Sequence, residues 1–395
     1  MSLTVGYISE GKLFIIPPDG KETEVKSAFV DSLKDRLQSI KNRREWKMRG
    51  TGAMFARGGL PISPGVFDVD QFDAKFSAVC RSTEPGAILY AIDAGDVHGI
   101  FSYSVAEKEE QRLVHGPSRR FSWLQAHSGG EEVAVAVTQQ DGTGCIGLLR
   151  PGKGGGVREI TEGDAIDSYP AWAPGDGRSV VYQSSGIARR DGQWAGLGPA
   201  ALQQLDLERG DLESLSHDES FDYLCPSFGA AGELYYIQRP YERIARTKPH
   251  AVLKDILFFP FRLIRAVFAF LNVFSMFFSG KPLKTAGGPA RKGPDPKAIY
   301  LYGRWVNVQE QLSKAQPEDA ISAVPRSWVL KRQAPGGDFA SAETIASGVM
   351  AYTVADDGTL LYSDGRAVFK LPAGSRSAVK ISPRPLVTCL FAAKL

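Results

Sequence analysis

Groups able to do chemistry are scarce in this chain. Five histidines and four cysteines are spread over 395 residues. There is no G-x-S-x-G nucleophile elbow and no H-E-x-x-H zinc helix, which removes the commonest hydrolase and metalloprotease readings. His98, His115, His127, His217 and His250 are scattered without ligand spacing. The run GKGGG at 152–156 has the glycines and lysine of a phosphate loop but lacks its Ser or Thr, and it falls between two expected strands, so it reads as a turn. An excess of one charge is missing too. Forty-seven basic against 44 acidic residues leave a net charge of +3, too little to argue for nucleic acid. Cys80, Cys145, Cys225 and Cys389 each fall in an expected strand without metal spacing and read as buried, reduced thiols. The opening residues, MSLTVGYISEGKLF, have neither a basic n-region nor an apolar h-region, so a cytoplasmic protein is expected.

What is present is a phrase that occurs twice. Residues 167–183 read DSYPAWAPGDGRSVVYQ, and residues 222–238 read DYLCPSFGAAGELYYIQ. Each has a short strand closing on a proline and an aromatic (Pro170 and Trp172; Pro226 and Phe228). A glycine turn follows (Gly177; Gly232), then a second strand ending in Val181-Tyr182 or Tyr235-Tyr236. Strand-sized units repeated at this distance predict the blades of a propeller. YPAWAPGDGRSVVY resembles the strand–turn–strand motif of TolB-like propellers, in which the Asp-Gly turn joins the two inner strands of a blade. Residues 202–216 then fit the outer two strands. The resemblance is clear over 165–239. It implies an all-β propeller and no particular chemistry. Members of that family are often exported, a pattern from which this N-terminus departs.

Strand-length runs bounded by Gly, Pro and Asp recur along the rest of the chain. They predict a six-bladed β-propeller, or seven blades if a degenerate one hides in an insertion. Three strands over 4–27 would be completed by 386–393 from the other end of the chain, closing the ring and leaving no open edge. The remaining blades are expected at 75–116, 121–163, 168–216, from 223 with an interruption after Pro240 and a restart at Trp328, and at 349–382. The whole chain, 1–395, is expected to be a single propeller carrying two helical insertions.

The first insertion, 28–72, opens with SAFVDSLKDRLQSIKNRREWKM. Val30, Leu33, Leu37 and Ile40 recur at helical spacing, with Ser27 or Asp31 available for the cap. The opposite face is basic, with Lys41, Arg43, Arg44 and Lys47 as its densest patch. It reads as a solvated face, or as a contact for anionic lipid or an acidic partner.

The second insertion, 241–327, holds DILFFPFRLIRAVFAFLNVFSMFFSG at 255–280. Phe258, Phe259, Phe261, Phe268, Phe270, Phe274, Phe277 and Phe278 stand among Leu, Ile and Val. Arg262, Arg265 and Asn272 are its strongly polar members, and Lys281 and Lys284 begin a cationic Gly/Pro/Lys linker. The length suits a bilayer crossing, but the chain must return to finish the interrupted blade, and basic residues flank both ends. An interfacial amphipathic helix with snorkelling arginines is the expectation. A helix that docks on a protein partner is the alternative.

His98 and His127 are candidates for a channel lining. Asp93, Asp96, Asp164, Asp167, Asp176, Asp222, Asp356 and Asp357 fall near expected turns and read as turn residues. No cofactor, metal or nucleic acid is expected. The functional expectation is a non-enzymatic scaffold for protein–protein interaction, held peripherally at the inner face of a membrane by the Phe-rich insertion. The alternatives are a subunit of a multiprotein assembly, or an enzyme with its site at the channel mouth.

Overall fold

The computed structural model describes residues 3–18, 20–49, 74–129, 131–152, 156–175, 178–242, 298–307 and 322–394, with backbone alone at 43–49, 298–300 and 305. The Phe-rich stretch 255–280 and its lysine flank lie outside these residues. The chain divides into two compact units, Met1–Tyr241 with Val308–Leu395, and Glu242–Asn307.

The larger unit is built from antiparallel blades; four form separate four-stranded sheets, and blades 3 and 4 are joined into one nine-stranded sheet by a single parallel pairing of Gly144 with Ile166. Blade 1 joins the two ends of the chain: β27 (Val387–Ala393) lies beside β1 (Thr4–Ser9), followed by β2 (Lys12–Ile16) and β3 (Thr23–Val25). Blade 2 is β4 (Lys75–Arg81), β5 (Ala87–Asp93), β6 (His98–Ser104) and β7 (Glu109–Gly116). Blade 3 is β8 (Arg120–Ala126), β9 (Val133–Thr138), β10 (Gly144–Leu149) and the short β11 (Arg158–Glu159). Blade 4 is β12 (Ala165–Trp172), β13 (Ser179–Arg190), β15 (Ala201–Asp206) and β16 (Leu212–Ser214), with an additional strand β14 (Gln193–Leu197) on the far half of β13. Blade 5 is β17 (Phe221–Phe228) and β18 (Leu234–Pro240), completed by β21 (Val329–Gln333) and β22 (Glu343–Ser347). Blade 6 is β23 (Ala351–Val354), β24 (Leu360–Ser363), β25 (Val368–Leu371) and β26 (Val379–Ser382). Six blades among the described residues, closure by the two chain ends and the interruption of blade 5 all agree with the strand pattern read from the sequence.

These segments are strands because apolar and β-branched residues alternate along them or fill both faces, and glycine supplies the turns. Glu10-Gly11, between β1 and β2, has positive φ at both residues (50° and 76°). This is the type I′ geometry that suits a two-residue hairpin. Apolar clusters lie between neighbouring sheets. One joins Leu13 and Cys389 of blade 1 to Tyr90 and Phe101 of blade 2, and another joins Val181 and Leu202 of blade 4 to Tyr223 and Tyr236 of blade 5. Gly6 stands opposite Phe391 across the closing pair, and a side chain there would meet the Phe391 ring.

The two repeated phrases share a backbone device. Tyr169 and Cys225 each precede a proline, each has positive φ (55° and 53°), and each sits where the inner strand slips register against its neighbour. A bulge of this kind frees amides from the ladder. Glutamines of the preceding blade bond at or just past each bulge: Cys225 N donates to Gln183 Oε1 at 2.9 Å, and Trp172 N, three residues after Tyr169, donates to Gln125 Oε1 at 2.8 Å. The Tyr352 hydroxyl of blade 6 donates to the Cys225 carbonyl. Neighbouring blades are thus stitched at the irregular point of each repeat.

The helix of the first insertion, α1 (Ala28–Arg49), starts at the expected place. Ser27 Oγ accepts from Val30 N at 3.3 Å, and Phe29 N donates to Glu110 Oε1 at 2.9 Å. Phe29, Val30 and Leu33 pack on blade 2, where the Phe29 and Phe101 rings lie 4.9 Å apart. Among the described residues no helix is long and apolar enough to cross a membrane.

In the smaller unit, β19 (Ala298–Leu301) and β20 (Arg304–Asn307) form a hairpin through Tyr302-Gly303, with Arg304 Nη1 3.4 Å from Glu242 Oε1.

Candidate functional site

The inner strands β4, β8, β12, β17, β23 and β27 all run in the same direction and together wall a cavity of about 300 Å³. Its open end, the upper face, is where these strands finish: at Arg81, Ala126, Trp172, Phe228, Val354 and Ala393. Arg81 Nη1 reaches Asp356 Oδ2 at 2.9 Å, linking blades 2 and 6 across the end of β27 in blade 1. Trp172 donates its indole N–H to the Gln125 carbonyl at 3.0 Å and meets the His127 ring edge-on at 4.7 Å. A neighbouring hollow of about 850 Å³, bordered by Arg81, Glu84, His127, Glu131 and Lys394, shares Arg81 and Ser128 with it. The mouth therefore combines an aromatic wall with charges of both signs on the rim, a surface suited to a mixed polar and apolar ligand.

The buried thiols and the Tyr352 phenol of the blades are poor reactants. Burial pushes the Cys80 and Cys389 thiols up to about 12 and the Cys145 thiol to about 11. The Tyr352 phenol is raised well above its usual range for the same reason. All four cysteines are buried. Among the described residues no group of three or more His, Cys, Asp and Glu side chains is arranged to hold a metal ion.

Several residues stand elsewhere than the sequence suggested. Asp167 and Asp222 are not turn residues; both are buried within inner strands. Burial raises the Asp167 carboxyl, against the pull of hydrogen bonds from Ser184 and Thr161. Asp222 is paired with buried Arg239 at 2.7 Å. His98 lies away from the channel, at the start of β6, with Nδ1 3.1 Å from Asp93 Oδ1. His127 does reach the channel mouth. Turn roles hold for Asp93, which accepts from Gly95 N, and for Asp357, which accepts from Thr359 N.

Strand direction defines the opposite, lower face. β3 ends there, and α1 begins there. β18 ends there at Pro240, and β21 starts there at Val329, so the second insertion leaves and rejoins blade 5 at the same face. The two ends of the interruption are fastened together. Arg239, next to the end of β18, is paired with Asp222 and lies under the Trp328 ring at 4.7 Å, one residue before β21 begins.

Of the basic helix, Lys34 and Arg36 are exposed, Lys41 is half-buried, and Arg43, Arg44 and Lys47 fall on the helix's second half. Ile40 is 48% exposed, so the apolar stripe of α1 is uncovered at that position. Phe258, Phe259, Phe261, Arg262, Arg265, Phe268, Phe270, Phe274, Phe277, Phe278, Lys281 and Lys284 lie outside the described residues.

One feature of the lower face escaped sequence reading. β13 pairs with β15 only as far as Ser184; its second half pairs with β14 and projects from the lower face. The signal was Asp191-Gly192, whose positive φ values (52° and 73°) make a two-residue type I′ turn.

No family model matches the chain, and no curated protein matches its sequence. Solved structures do. A chain of the nidogen–laminin complex is similar over 99% of this chain and 98% of its own length, at 7% identity and a TM-score of 0.50. TolB from Acinetobacter baumannii is similar over 99% of this chain and 66% of its own length, at 9% identity and a TM-score of 0.52. The protein thus has the fold of a TolB-like β-propeller.

Proposed function

We propose that the protein is a non-enzymatic propeller scaffold, docked peripherally on the cytoplasmic side of a membrane by its lower face. The upper face, with its channel mouth, would stay free for a protein partner. The observation that carries the reading is the shared exit: the Phe-rich stretch and the basic helix belong to insertions that both leave the propeller at the lower face. A stretch with eight Phe and basic residues on either side suits the boundary between headgroups and acyl chains. The basic residues Lys41, Arg43, Arg44 and Lys47 in the second half of α1 add cations for anionic headgroups.

Co-sedimentation with phosphatidylcholine vesicles, with and without phosphatidylserine, tests this. The full chain is expected to pellet, more strongly with phosphatidylserine, and a chain lacking 255–280 is expected to stay in solution with its propeller folded. A well-folded full chain that ignores both kinds of vesicle would overturn the docking and point to the insertion as a partner-binding helix.

A further inference from the structure

We infer that the β13–β14 hairpin is a third membrane foothold, in which Trp194 enters the interfacial layer of the bilayer and Arg190 meets the phosphates. The inference rests on the docking reading and adds a site to it that the insertions do not contain.

The hairpin is longer than its blade requires. β13 runs for 12 residues, but β12 pairs with it only to Gly186 and β15 only to Ser184. Residues 187–190 extend past the sheet, a reach of about 13 Å at the usual strand rise. In this extension only Ile187, at its base, is buried. Its tip residues, 188–195, are exposed, and Trp194 is 46% exposed. A large apolar side chain held out beside a turn, on a two-stranded arm, has no packing purpose within this unit.

The occupant is argued from position and chemistry. The arm projects from the lower face, where α1 begins and where blade 5 is interrupted. Its base is tied to the point of interruption: the Tyr241 hydroxyl donates to the Leu197 carbonyl at 2.7 Å. Trp is the side chain favoured at a membrane interface, with an apolar ring and one N–H for the wet side. The flanking arginines differ in availability. Arg189 is held by Asp164 through bonds of 2.8–3.0 Å, which fixes the arm's edge. Arg190 is exposed beside the turn. A cation next to an exposed indole matches an anionic, amphipathic surface.

The test uses the full chain and two variants, Trp194→Ala and Trp194→Phe, with phosphatidylcholine–phosphatidylserine vesicles. An exposed hairpin residue can be changed without harm to the fold, and matching thermal melts verify this. If the inference holds, Trp194→Ala weakens vesicle partitioning about tenfold. Brominated lipid then quenches wild-type fluorescence by a component that is missing from Trp194→Phe. Wild-type chain that binds vesicles while both variants match it in affinity and quenching would overturn the foothold and leave the docking reading standing. A wild-type chain that binds no vesicles would overturn both.

Discussion

At the residue scale, the carboxylates divide by what surrounds them. Glu132, at the start of β9, is almost buried; burial alone would raise it, but Arg150 (2.7 Å) and Arg178 outweigh that and hold it below its ordinary range. A carboxyl whose folded pKa is depressed contributes stability that is present above its unfolded value and is lost as pH falls through the folded one. Glu132→Gln is therefore expected to cost about 1–2 kcal/mol at neutral pH and to flatten the fall of melting temperature on acidification below pH ~4.5. Thermal melts of both chains across that range check it. Asp167 works in the opposite sense, since its raised carboxyl makes folding less favourable as pH rises.

At the element scale, the interrupted blade is the informative case. A sheet whose second and third strands are separated by residues 241–327 needs its ends held in register. The Asp222–Arg239–Trp328 group does this at the point of interruption. Removing one member of a buried ion pair leaves the other uncompensated. Asp222→Ala is expected to destabilise the protein by about 3–5 kcal/mol, and an Asp222→Leu, Arg239→Met double variant by clearly less. Urea denaturation of the three chains checks the order. The strands themselves were legible: Leu234–Pro240 and Val329–Gln333 are β-rich runs whose alternation shows on either side of the gap. The clasp was not legible, because Asp222 reads as one more turn aspartate until its strand is paired and buried. The β13–β14 arm is hidden in the sequence for a related reason. Its Asp-Gly turn signals a hairpin but not whether that hairpin lies in the sheet or stands out from it.

At the scale of the whole molecule, closure of the ring depends on one strand. β27 pairs with β1 along its length and packs against blade 6 through Val387 and Leu390. Truncation before Val387 would bare the edge of β1 and the faces of two blades. The truncated chain is expected to lose cooperative thermal unfolding and to elute as aggregate in size-exclusion chromatography. The same closure gives the propeller two faces of different character: a channel mouth bridged by Arg81 and Asp356 above, and below it the start of α1, the hairpin arm and the strand ends of the second insertion. The proposed function follows from that division.

The sequence by itself determined the local states. Period-two patterning, glycine turns and the doubled phrase are properties of neighbouring residues, so the propeller blades, the split first blade, the first-insertion helix and the interruption of blade 5 could all be read from it, with six or seven blades left open. The tertiary structure alone decided direction and burial. Which face a loop or insertion leaves from depends on how many strands the chain has crossed and with what partners, so the common lower face of α1, Pro240 and Trp194 emerges only once every strand is paired. The same holds for Asp167 and Asp222, whose chemistry is set by neighbouring blades rather than by adjacent residues.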